Sequence, residues 1–123
     1  MNPKLSIIVP VYRAEKTLEK CLDSLLAQPY KEIEIVLADD ASPDTSGKLC
    51  DAYAQKYDCI KVLHKEHGGP THTRKAGLAA ASGDYISFVD SDDYVEPEMF
   101  EVMMQKITET DADICICGIA VDI

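Results

Sequence analysis

Leu5-Ser-Ile-Ile-Val-Pro-Val11 is an apolar, β-branched run that barely alternates between polar and apolar residues. A strand with one wet face alternates, whereas a strand covered on both faces reads as a continuous apolar run. This stretch therefore predicts a strand with a layer on each side of it. The residues that follow supply the first layer: Leu18, Cys21, Leu22, Leu25 and Leu26 fall at i, i+3, i+4, i+7 and i+8, one face of a helix. The pairing of strand and helix then repeats. Strand-like runs at 33–38, 60–63, 85–89 and 114–121 alternate with further helical stripes. One stripe is Leu49, Cys50, Tyr53, Ala54 and Tyr57; another is Met99, Phe100, Met103, Met104 and Ile107. Between them a shorter helix over 71–81 is opened by Gly69-Pro70 and closed by Ser82-Gly83. Such alternation predicts a mainly parallel sheet with crossover helices, a Rossmann-like three-layer α/β/α sandwich in a single domain.

Length and composition set the limits. A chain of 123 residues holds one hydrophobic core and is too short for two ordinary domains. No apolar run reaches the roughly twenty residues of a membrane span. Met1-Asn-Pro-Lys4 lacks the charged-then-apolar layout of a secretory signal, so a cytoplasmic location is expected, with attachment at the inner membrane face left to further segments. Five cysteines, Cys21, Cys50, Cys59, Cys115 and Cys117, are odd in number and irregular in spacing, which suits reduced thiols better than disulfides or a thiolate metal site. A net charge of −10 excludes a nucleic-acid partner, because a phosphate backbone needs a basic stripe. It also means that any bound phosphate requires a positive group to offset the field, and a divalent cation does so economically. The run at 114–121 carries an uncapped strand almost to the last residue. That pattern predicts a truncated chain that self-associates through the open edge.

In open α/β sheets, ligands bind beyond the carboxyl ends of the strands. The first strand leads into Pro10-Val-Tyr-Arg-Ala-Glu15 and the second into Asp39-Asp-Ala-Ser42. The third leads toward His67-Gly-Gly69, and the fourth into Asp90-Ser-Asp-Asp93. Polar and acidic residues thus gather at one edge. Asp90 and Asp92, one and three after a strand, point the same way. Two neighbouring carboxylates repel, and a hard divalent cation relieves them and coordinates a diphosphate; the alternative is a solvated acidic loop ahead of a helix starting near Pro97. Asp39 and Asp40 suit a ribose hydroxyl or a base N–H; alternatively Asp40 or Ser42 caps a helix beginning around Pro43-Asp44-Thr45. His67-Gly68-Gly69 precedes a helix N-terminus, where free amides favour anions. Arg74, one turn further, either meets a phosphate or is an exposed helical arginine. His64, His67 and His72 are not spaced for a shared metal site.

Taken in order, Ser6-Ile-Ile-Val-Pro-Val-Tyr12, Asp39-Asp-Ala-Ser42, His67-Gly-Gly69, Thr73-Arg-Lys-Ala-Gly77 and Phe88-Val-Asp-Ser-Asp-Asp-Tyr94 resemble the family-two inverting glycosyltransferases of GT-A fold. The resemblance spans nearly the whole chain. It implies a nucleotide-diphospho-sugar donor (most often a UDP-sugar), Mn²⁺ or Mg²⁺, inversion at the anomeric carbon, and a glycan or lipid-linked acceptor, as in polysaccharide biosynthesis. Carried over residue by residue, Pro10, Tyr12 and Glu15 would surround the uridine. Asp39 would contact the base with Asp40 close by, Arg74 would sit near the diphosphate, and Ser91 would be among the nucleotide-binding residues. Asp90 and Asp92 would form the metal-binding D-x-D, with Asp92 the direct ligand. Arg13, Ala41, His67 and Lys75 depart from the family's frequent Asn, Gly, Asn and Asn, and Ala41 argues against a positive-φ turn at its position. The resemblance implies a catalytic base beyond Ile123, since Glu96, Glu98, Glu101 and Glu109 read as helix residues. Residues 1–123 would then be the donor-binding part of a glycosyltransferase domain without its acceptor-binding part, inactive alone. The rival readings are a non-catalytic nucleotide-binding module, a nucleotidyltransferase and a receiver-type signalling domain. A nucleotidyltransferase would want a glycine-rich basic loop after the first strand, and a receiver its acidic pair there.

Overall fold

The computed structural model describes residues 3–110 and alternates strand and helix throughout. In chain order the elements are β1 (Leu5–Val11), α1 (Leu18–Leu26), β2 (Ile33–Asp39), α2 (Ser46–Lys56), β3 (Ile60–His64), α3 (Pro70–Ala80), β4 (Tyr85–Phe88) and α4 (Met99–Thr110). The strands form one sheet in the order β3-β2-β1-β4, every pair parallel.

β1 is hydrogen-bonded on both edges and covered on both faces, as its unbroken apolar run predicts. Its odd-numbered side chains, Leu5, Ile7, Val9 and Val11, join Ile35 and Leu37 in the main core against Leu18, Cys21, Leu22 and Leu25 of α1. Cys50 of α2 and Phe100, Met104 and Ile107 of α4 complete that core. Ile8 points the other way, toward α3, where a Cβ added at Gly77 would stand 2.5 Å from Ile8 Cγ2. Helices therefore lie on both faces, and the three-layer architecture holds.

The helical stripes are buried unevenly. Leu26, Leu49, Tyr53, Ala54, Tyr57, Met99 and Met103 pack only at the rim of the core. Element ends shift by a residue or two from the periodicity. β2 and β3 each run one residue further, to Asp39 and His64, because the parallel ladder pairs Val11 with Asp39 and Asp39 with His64. β4 ends at Phe88, although Val89 N still donates to Ile8 O at 3.0 Å. The candidate strand at 114–121, Cys115, Cys117 and any association through that stretch lie outside the described residues.

Two buried polar side chains pin the connections. Gln28, just past α1, donates from Nε2 to Glu96 O at 2.8 Å and accepts from Phe100 N at Oε1 at 3.0 Å. Ser24 Oγ accepts from Val95 N at 3.1 Å, so α1 holds the segment that joins β4 to α4. At the opposite edge of the sheet, buried Glu34 accepts from Ser82 Oγ at 2.6 Å and faces Lys61 Nζ at 2.9 Å and Lys4 Nζ at 3.3 Å. Burial alone would raise the pKa of Glu34, but donation from Ser82, Lys61 and Lys4 outweighs it and holds the carboxyl at about 2. Among the described residues, no helix is long and apolar enough to cross a membrane.

The contact between Gly77 and Ile8 yields a direct test of the α3 layer. A methyl group at Gly77 must displace either Ile8 or the helix, so Gly77→Ala is expected to lose about 1–3 kcal/mol of stability despite its better helix propensity. Urea unfolding checks this, and a gain in stability would mean that α3 stands further from β1.

Candidate functional site: a cleft at the reversal of strand order

β2 and β3 lie to one side of β1 and β4 to the other, so the strand order reverses between β1 and β4 while every strand stays parallel. The loops leaving the carboxyl ends of two such strands diverge, which opens a crevice. A cavity of about 400 Å³ occupies it. Tyr12, Arg13 and Ala14 line it after β1, Asp40 after β2, His67 and Gly69 ahead of α3, and Pro70 at the first position of α3. Thr73 and Arg74 of α3 contribute a wall, and Asp90, Ser91 and Asp92 line the side that follows β4.

Asp40 is 3% exposed and organises the floor. Oδ1 accepts from Lys65 Nζ at 2.7 Å and Gly68 N at 2.9 Å, while Oδ2 accepts from Gly69 N at 3.1 Å and faces His67 Nδ1 at 2.9 Å. Burial would raise its pKa; donation from Lys65 and the two glycine amides prevails and keeps the carboxyl at about 2. The amides before α3 are thus satisfied by the protein's own carboxylate, not left open for a phosphate as the glycine turn suggests. Above the floor, the Tyr12 and His67 rings approach to 4.9 Å between centroids, and the Arg13 guanidinium lies 5.3 Å from the Tyr12 ring centroid.

On the opposite wall Asp90, Asp92 and Asp93 each offer a carboxylate oxygen, all within 4.8 Å of one another. Burial and the charges of Asp92 and Asp90 push the pKa of Asp93 up. Crowded hard oxygens of this kind fit Mn²⁺ or Mg²⁺. Cys21 supplies no thiolate here: its Sγ lies 3.6 Å from Asp90 O, and burial, reinforced by these aspartates, drives its thiol to about 12. Arg74 reaches the same wall, its guanidinium 3.3 Å from Asp90 Oδ1.

Residues 6–123 match the model of glycosyl transferase family 2. The chain belongs to that family. It is 44% identical over 118 residues to a Bacillus subtilis protein described as an uncharacterized glycosyltransferase, EpsJ, covering 96% of this chain and 34% of that one. It is 42% identical to glycosyltransferase GlyG of Streptococcus pneumoniae over 94% of this chain and 39% of the relative. The chain therefore spans little more than a third of the length of these two relatives. Among solved structures, S. aureus TarS 1-349 in complex with UDP-GlcNAc superposes with a TM-score of 0.79 at 37% identity, over 86% of this chain and 31% of that one. The GT-A type of sheet seen here agrees with these family-2 neighbours.

Of the sequence candidates, Pro10, Tyr12, Asp40, Arg74, Asp90, Ser91 and Asp92 converge on the cleft, and Asp39 and Glu15 do not. Asp39 lies beneath the floor, its Oδ1 accepting from Ser42 N at 3.1 Å and its Oδ2 facing His64 Nδ1 at 2.9 Å. Glu15 turns to the start of α2, where Oε2 accepts from Thr45 Oγ1 at 2.8 Å and Thr45 N at 3.2 Å. Asp44 is the other cap there, accepting from Ser46 N at 3.0 Å, so neither Asp40 nor Ser42 serves α2. Lys65, which braces Asp40 from behind the lining, is the residue that the sequence pattern missed. Its signal is a cation directly after β3, at the edge where an acidic chain most needs one.

Ala41 corrects an expectation, for the turn it occupies has φ 55° in spite of its side chain. Asp39 on one side and the Arg13 amide, which donates to Ser42 Oγ at 3.2 Å, on the other hold the turn against that strain. Ala41→Gly is expected to relieve about 1–2 kcal/mol of left-handed strain, partly offset by glycine's greater unfolded-state entropy of about 0.5–1 kcal/mol. A small rise in melting temperature is the readout; a fall would mean that the Ala41 methyl group makes a contact of its own.

Proposed function

We propose that this chain is the donor-binding part of a metal-dependent inverting glycosyltransferase that uses a UDP-sugar, with the acceptor base supplied from residues beyond Ile123. The observation that carries the reading is the convergence, in one cleft, of a buried carboxylate at the β2 exit and a cluster of three carboxylates at the β4 exit. Support for the donor comes from S. aureus TarS 1-349, 36–37% identical, whose complexes hold UDP and UDP-GlcNAc. A poly(ribitol-phosphate) beta-glucosyltransferase of Bacillus spizizenii and a minor teichoic acid biosynthesis protein of Bacillus subtilis among the relatives support a polymeric acceptor.

On this reading Tyr12 and the Arg13 rim flank the nucleoside, and Asp40, not Asp39, accepts from the base N–H. Of the groups around Asp40, His67 is the most exposed side chain and the one that an incoming base can displace. Asp90 and Asp92 would hold the cation, with Asp93 behind them. A bound Mn²⁺ or Mg²⁺ would neutralise charge on the diphosphate as the glycosidic bond to phosphate breaks. Arg74 adds a second positive charge on the same side, available to the β-phosphate once its Asp90 partner is otherwise engaged. Inversion requires the acceptor oxygen to attack from the face opposite the diphosphate, where a carboxylate base removes its proton. Pro10, Ser91, Glu15 and Asp39 act in this scheme by shaping and bracing the walls.

Two measurements test it. UDP binding followed by calorimetry should weaken sharply in EDTA for the native chain, and Asp92→Ala should bind with equal affinity with and without metal. A native chain indifferent to EDTA would remove the cation from the scheme. Asp40→Asn should lose roughly 1.5–3 kcal/mol of UDP affinity, about ten- to a hundredfold, by exchanging a charged acceptor for a weaker one. Retention of full affinity, with the fold checked by circular dichroism, would return the base contact to another residue.

A further inference from the structure

Below the cleft floor, His64 at the end of β3 stands between two carboxylates. Its Nδ1 lies 2.9 Å from Asp39 Oδ2 and its Nε2 lies 2.8 Å from Asp51 Oδ1 on α2. A neutral imidazole has one N–H and one lone pair, so it satisfies one carboxylate and sets its lone pair against the other. Only the imidazolium donates to both. The consequences run toward the cleft. Asp39, 4% exposed, uses its second oxygen to accept from Ser42 N at 3.1 Å. Ser42 Oγ accepts from Arg13 N at 3.2 Å, and Arg13 lines the nucleotide cleft. One imidazolium thereby links α2 to the β2 exit, and the β2 exit to the β1 exit, without itself lining the cleft.

The surroundings are built for this. Gly47 at the start of α2 leaves room for the arrangement, since a Cβ there would stand 2.8 Å from Asp39 Oδ2 and 3.6 Å from His64 Cε1. The charged and titratable groups facing His64 are Asp39 from β2 and Asp51 from α2, with the Cys50 thiol of α2 close to both carboxylates. That thiol is pushed up to about 12, by burial first and then by Asp39 and Asp51, so it stays neutral. Lys65, the adjacent cation, is committed to Asp40 at 2.7 Å and does not neutralise Asp39 in its place.

We propose that His64 is a positioning residue, the half-exposed counter-ion that neutralises the buried Asp39 and so sets the 39–42 turn and the Arg13 rim of the nucleotide cleft. The link to nucleotide affinity rests on the donor-binding reading given above; the link to the turn does not. Hydrogen bonds to Asp51 and then to Asp39 outweigh burial and raise the His64 pKa above 6.5. A raised folded-state pKa means that this contribution is complete below the ordinary histidine value and is lost as pH rises through the folded value. The turn and the rim should therefore loosen on the alkaline side.

The experiment is an NMR titration of the full chain from about pH 5 to 9, following the His64 ring and the Ser42 and Arg13 amides. The expected result is one shared midpoint above the ordinary histidine value. Asp51→Asn should lower that midpoint, and His64→Gln should abolish the amide titration. His67→Asn should leave it in place, because His67 faces Asp40 and not Asp39. Calorimetry then reads UDP affinity, which should fall about three- to tenfold across the His64 midpoint in the native chain and stay flat across it in His64→Gln. Ser42 and Arg13 amides that ignore the His64 titration would overturn the proposal, and so would an identical pH profile of UDP affinity in His64→Gln. No UDP binding at any pH would count instead against the donor-binding reading, with the amide titration still deciding the role of His64.

Discussion

The hydrogen-bond ladder of β1 is the constraint on which everything else in the molecule hangs. Its parallel register sets Val11 beside Asp39 and Ile8 beside Phe88, so the exits of β1, β2 and β4 emerge at one edge of the sheet. Because β1 has partners on both sides, the strand order must reverse around it, and the reversal opens the crevice. Covering β1 on both faces demands the apolar run of its sequence, and the same covering excludes water from the cleft floor. Asp40 is the result: a carboxylate 3% exposed, delivered by a strand end and held ionised by Lys65 and two glycine amides.

Electrostatics divides the cleft into two halves of different character. On and beneath the floor each carboxylate has its own protein donors: Asp40 has Lys65, and Asp39 below it has His64 and the Ser42 amide. On the wall after β4 the three aspartates crowd one another, with Arg74 bonded to Asp90. A satisfied carboxylate is a rigid acceptor, suited to reading a ligand's shape. A frustrated cluster is a sink for positive charge, suited to a cation that a phosphate ligand can share. On the donor-binding reading the chain's net charge of −10 makes this division necessary, since an anionic donor meets a protein that repels it, most of all at this acidic wall, unless a cation bound there reverses the local charge.

The distant supports matter as much as the lining. Gln28 and Ser24 fix the path from the acidic loop to α4, and Glu34 ties Ser82, Lys4 and Lys61 together at the far edge. These are buried polar groups with their partners in place, which costs little, whereas loss of either partner would strand a charge or an amide away from water.

The amino-acid pattern alone determined the layers, the parallel sheet and the edge at which chemistry gathers, because side-chain periodicity reports directly which faces of an element are dry. It determined the acidic cluster at 90–93 for the same reason: consecutive residues after a strand stay together whatever the rest of the chain does. Which of two adjacent aspartates faces the cleft was beyond it, since Asp39 and Asp40 differ only in side of the sheet, and the ladder opposite Val11 and His64 decided that Asp39 turns beneath the floor. The roles of Lys65, His64 and Glu15 were equally out of reach, as each depends on a partner 25 to 30 residues away in the chain. Even the positive φ of Ala41 came from tertiary contacts, with Asp39, Ser42 and Arg13 together overriding a side chain that on its own resists the turn. Local sequence encodes local preference; pairings across the fold exist only once packing has brought their partners within hydrogen-bond reach.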